Sequence, residues 1–64
     1  MENEVFRYSL YQLAHDINEQ VINVTLDNTT LKVHWNDGIS SVANIRGLNK
    51  LGIARKLLGL LWER

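Results

Sequence analysis

The chain has 64 residues, seven basic and seven acidic side chains, and a formal net charge of zero, with no cysteine and no proline. This excludes a disulfide scaffold and a thiolate metal site and argues against a basic nucleic-acid-binding domain. What is left is one small domain over residues 1–64, held together by its core or by association. A chain of this length buries only about 60% of its unfolded surface. The polar start MENEVFRYS is unlike a signal peptide. The longest apolar run, LLGLLW at 57–62, is too short to span a bilayer. A cytoplasmic protein is expected.

Residues 1–8 have two readings. They form a flexible or extended N-terminal arm, or they belong to a helix that begins at Asn3 and includes Phe6. The first is preferred, because Ser9-Leu10-Tyr11-Gln12 fits a capping box, with Tyr8 and Leu13 as the hydrophobic staple. From Leu10 the spacing is helical. Leu10, Leu13, Ala14 and Ile17 form one stripe, Tyr11, His15, Asn18 and Glu19 lie away from it, and the helix should end near Glu19 or Gln20.

Residues 21–36 alternate with period two on both sides of the polar break Asp27-Asn28-Thr29-Thr30, the signal of a β-hairpin. Placing Leu26 opposite Leu31 sets Val24 against Val33 and Ile22 against Trp35. All the apolar residues then share one face, which a one-residue slip would scramble. Asn36-Asp37-Gly38 fits a three-residue hairpin loop with glycine in the left-handed conformation. It leads into a third strand over 39–44, with Ile39 opposite Trp35, Ser41 opposite Val33 and Ala43 opposite Leu31. Residues 48–63 read as a second helix with Asn49 as a candidate N-cap.

The predicted fold is α+β: α-β-β-β-α, a three-stranded antiparallel meander with both helices packed on one face of the sheet. The other face carries Asn23, Thr25, Lys32, His34, Ser40 and Val42, and is left to solvent or a partner.

The second helix is more apolar than one core requires. Leu51, Ala54, Leu57, Leu58, Leu61 and Trp62 cover roughly 140°, and Ile53 and Leu60 widen the arc to about 200°. A core-facing stripe needs little more than about 100°. The Ile53/Leu57/Leu60 side is therefore the expected protein interface, used for a homodimer or for another protein. The competing account has Phe6 and Tyr8 folding over it. Gly52 and Gly59 lie seven apart in the same helix, either tolerated or marking close approach by another element.

Five of the seven basic residues fall in the last nineteen positions. Of these, Arg46, Lys50, Arg55 and Lys56 are the candidate nucleic-acid contacts, although on a helical wheel they point different ways. His15 and His34 are the only histidines. Neither stands in a metal-binding or nucleophile motif, so no enzyme activity, cofactor or metal is expected.

The α-β-β-β-α order is similar to that of the double-stranded-RNA-binding domain and of the small HicA-type toxins. Gly47-Leu48-Asn49-Lys50-Leu51 keeps one lysine where the RNA-binding family has several. Thr29-Thr30-Leu31-Lys32 stands where the toxins have Gly-Ser-His, and His34 comes without those neighbours. The likeness is at the level of fold. The first functional expectation is a small non-enzymatic regulator or inhibitor that binds a protein through its leucine-rich C-terminal helix. The alternative is a nucleic-acid-binding module.

Overall fold

The computed structural model describes residues 2–63. Its elements are α1 (Glu2–Ile17), β1 (Val21–Leu26), β2 (Thr30–Trp35), β3 (Ser40–Asn44) and α2 (Lys50–Glu63). The strands form an open antiparallel sheet in the order β1-β2-β3. The architecture is the expected α-β-β-β-α. One face of the sheet, with Val24, Leu31, Val33 and Trp35, packs into a single core with Leu10 and Ala14 of α1 and Leu57, Leu60 and Leu61 of α2. No helix among the described residues is long and apolar enough to cross a membrane.

Turn chemistry holds the register. Leu26 faces Leu31 and Val24 faces Val33, as the alternation requires. Across the second turn, Ser41 faces Val33 and Ala43 faces Leu31. Gly38 has a φ of +86°, which a side-chain-bearing residue rarely adopts, and its N–H donates to the Trp35 carbonyl at 3.1 Å. The buried Trp35 indole keeps a partner, since Nε1 donates to Ser41 Oγ at 2.9 Å.

At the first turn, Asp27 Oδ1 accepts the backbone N–H groups of Thr29 (2.8 Å) and Thr30 (2.7 Å). These amides, Thr29 first, hold the Asp27 carboxyl below its ordinary value. A carboxyl depressed in the folded state stabilises above its unfolded value, and that contribution is lost as pH falls through the folded one. Asp27→Asn is therefore expected to flatten the acid limb of the stability profile below about pH 4. Urea midpoints measured from pH 2 to 6 check this; parallel profiles for the two proteins would rule it out.

Three expectations need correction. First, the preferred N-terminal arm is helix: α1 starts at Glu2, close to the rival start at Asn3. Ser9 caps nothing. It lies inside α1 and donates its hydroxyl to the Val5 carbonyl one turn back, at 3.0 Å. Tyr8 is exposed and accepts from Gln12 Nε2 instead of stapling Leu13. With the extra turns, Phe6 joins Leu10 and Ala14 at spacing four, and this row faces the core. Leu13 and Ile17 are turned outward, and Tyr11 packs inward.

Second, α1 ends at Ile17. Asn18 reverses the chain by accepting Val21 N–H on its carbonyl and Gln20 N–H on its side chain. Third, Ile22 does not face Trp35. Val21 does, and a bulge at Ile22 restores the register by Asn23, leaving Val21 fully buried and Ile22 58% exposed. Ile39 is likewise outside the core, exposed just before β3.

Candidate interaction surfaces

The rotation of α2 decides which of its apolar residues remain available. Asn49 caps the helix, its Oδ1 accepting Gly52 N–H at 2.9 Å. From that start Leu57 points straight into the core and is 0% exposed, with Leu60 and Leu61 buried beside it. Ile53 and Ala54 pack at the core edge. The side expected to be the protein interface, Ile53/Leu57/Leu60, is thus the core side. What Ile53 leaves uncovered opens into a cleft of about 430 Å³ shared with Phe6, Leu26, Ile45 and Leu48. Neither Phe6 nor Tyr8 folds back as a separate arm, because both belong to α1.

The apolar surface that stays open is the other half of the arc. Leu51 is 61% exposed, Leu58 is less so, and Trp62 is 91% exposed. At 100° per residue these three lie within about 40° of one another, on one flank of α2 over nearly three turns. The opposite flank, with Lys56, Gly59, Leu60 and Glu63, lines a cleft against β3, so the leucine–tryptophan flank is the one nearer α1. On α1, Leu13 and Ile17 are also exposed. Leu13 is two turns from Phe6 on the same side, and Phe6 faces α2, where Lys50 Nζ lies 5.6 Å from its ring centroid. Both helices therefore keep large apolar side chains exposed outside the core.

The cations that were candidates for nucleic acid are spread out. Arg46 is exposed in the loop after β3, Lys50 stands over Phe6, and Arg55 and Lys56 line the cleft beside β3. The three helical ones are separated by roughly 100–140° around α2, so they do not form one stripe along a phosphate backbone.

On the outer sheet face, His34 is held by both ring nitrogens. Nε2 lies 3.2 Å from Thr25 Oγ1 and Nδ1 3.3 Å from Ser40 Oγ. A neutral imidazole offers one donor and one acceptor, so one hydroxyl accepts while the other donates, and the ring links all three strands. His15 is exposed, as its place away from the helical stripe requires, and it also reaches the β1 edge, with Nδ1 donating to the Val21 carbonyl at 3.1 Å and its ring stacked on Tyr11. Among the described residues no three His, Cys, Asp or Glu side chains gather into a metal-binding group.

No protein-family model, no curated protein and no solved structure matches the chain. The likeness to the RNA-binding domain and the toxins rests on element order, and function has to be argued from these surfaces. Trp62 and Leu51 were legible as parts of a wide apolar arc, but nothing local in the sequence marked them as its exposed half.

Proposed function

We propose that the protein acts by binding another protein through the apolar flank of α2, as a small regulator or inhibitor without chemistry of its own. The observation that carries this is Trp62, almost wholly exposed at the end of a flank that also bears Leu51 and Leu58. Water around three large apolar side chains in one row is released when a partner covers them. Tryptophan is also, with tyrosine and arginine, among the residue types enriched at the anchor points of such contacts. The partner this surface suits offers an apolar groove or helix face, the helix-in-groove mode of recognition.

The scattered cations favour a protein over a nucleic acid. Binding through several phosphates would weaken steeply with salt, and none is expected with generic DNA or RNA at low salt.

The two tryptophans allow a direct test. Trp35 is buried and Trp62 exposed, so a Trp35→Phe protein reports Trp62 alone. Its emission should shift to the blue when a partner isolated with the parent chain is added. Trp62→Ala with Leu58→Ser should abolish that partner's binding while the melting temperature stays within a few degrees. A partner held equally well by this double variant would remove the reading.

A further inference from the structure

The two edges of the sheet are treated differently. The β1 edge is covered at Val21 and Val24. Arg7 Nη1 donates to the Val24 carbonyl at 3.1 Å and to Asn23 Oδ1 at 3.3 Å. Asn23 Oδ1 also accepts Val24 N–H at 2.9 Å. The Val21 N–H goes to the Asn18 carbonyl, the Val21 carbonyl accepts from His15, and the bulge sits between the two valines. Side-chain cover and bulges are devices that keep an edge from recruiting another strand.

The β3 edge has none of them. Trp35 N–H donates to the Ile39 carbonyl and Ile45 N–H to the Thr29 carbonyl, each at 2.9 Å. Antiparallel alternation then directs residues 39, 41, 43 and 45 to β2, and the N–H and C=O groups of Ser40, Val42 and Asn44 outward. Among the described residues those outward groups have no hydrogen-bond partner. The strand SSVAN is uncharged, and Val42 is exposed.

We propose that the β3 edge pairs antiparallel with β3 of a second copy of this chain about a two-fold axis through Val42, joining two sheets into one of six strands. This surface is separate from the apolar flank of α2 and does not depend on it.

The occupant is specified by self-complementarity. The outward residues are symmetric about Val42, so Val42 meets Val42 of the second copy and Ser40 meets its Asn44, each pair exchanging two bonds. The same axis runs α2 antiparallel to its copy. Lys56 and Glu63 line the β3 side of α2 seven residues apart, and neither has an ion-pair partner in its own chain among the described residues. Two turns apart and on one flank, each is placed to meet the opposite charge of the other copy. Between them is Gly59, where an added Cβ would meet nothing within 4 Å. At Gly52, by contrast, the added Cβ would lie 3.2 Å from Leu48 Cβ. Gly59 thus has no packing reason within the chain for a residue that weakens a helix interior, and it sits where the second α2 approaches.

Sedimentation equilibrium of the full chain from micromolar to millimolar concentration should show a monomer–dimer equilibrium. Amide exchange at Ser40, Val42 and Asn44 should slow as concentration rises. Val42→Pro removes only an outward N–H and is tolerated at an edge, so it should give a monomer. Lys56→Glu and Glu63→Lys should each weaken the dimer by about tenfold or more. An equimolar mixture of those two variants should form a heterodimer, because both pairs between positions 56 and 63 then join opposite charges. Trp62→Ala should leave the dimer unchanged.

A parent chain that stays monomeric throughout, or a dimer indifferent to both Val42→Pro and Lys56→Glu, overturns the inference. A dimer lost in Trp62→Ala but kept in Val42→Pro also overturns it, and leaves the apolar flank as the interface.

Discussion

Val33→Asp is expected to leave the chain unfolded, and Thr25→Asp to melt within a few degrees of the parent. Val33 is 0% exposed in the central strand, between Val24 of β1 and Ser41 of β3, and belongs to the core that the two helices complete. A carboxylate there meets no cation, and burying an unpaired charge costs several kcal/mol. At roughly 0.05–0.15 kcal/mol per residue, a chain of this length has about 3–10 kcal/mol of stability in all. The single change can therefore consume most of it. Thr25 is exposed on the other face, where its hydroxyl loses only the contact to His34. Such surface changes usually fall within about 0.5 kcal/mol, a shift of a few degrees for a domain this small. Circular-dichroism melts of the two variants check the expectation. Similar melts would mean that the two faces of the sheet have been confused.

The adjacent pair Leu57 and Leu58 should part by a comparable margin. Leu57→Ala removes a fully buried side chain from the middle of the core and should cost about 2–5 kcal/mol. Leu58 lies 100° further round α2 and is 43% exposed, so Leu58→Ala should cost about 1 kcal/mol or less. Urea unfolding at low protein concentration measures both, with unchanged slopes showing that only stability has moved. Equal losses would mean that the helix is rotated from the orientation described and that the Leu51/Leu58/Trp62 flank is not open. The proposed binding mode would then have to be abandoned along with it.

The strands and their order could be read from residues close together in the chain. Period-two alternation in Val24/Leu26 and Leu31/Val33 assigns faces locally. Asp27 and Gly38 set the two turns through their own short-range hydrogen bonds. The cap at Asn49 is just as local. These features need no knowledge of the rest of the fold, and they predicted the meander, its register beyond the bulge at Ile22 and the start of α2 to within two residues.

Where several residues were equally apolar, tertiary structure made the choice. Val21 and Ile22 are adjacent and both fit a core. Val21 enters it because Asn18 turns the chain beneath α1 and His15 holds the Val21 carbonyl. Ser9 carries a cap signature, yet α1 runs through it because Phe6 extends the Leu10/Ala14 row by another turn. The apolar arc of α2 is about 200° wide, more than the core can cover. Periodicity shows that such an arc exists but does not choose which part of it turns inward. That choice depends on Phe6, Leu10, the sheet and α2 packing simultaneously, contacts between residues far apart in the chain. They bury Leu57 and Leu60 and expose Leu51 and Trp62. The open β3 edge is equally a product of assembly, since a strand becomes an edge only when the order of the sheet leaves it without a neighbour.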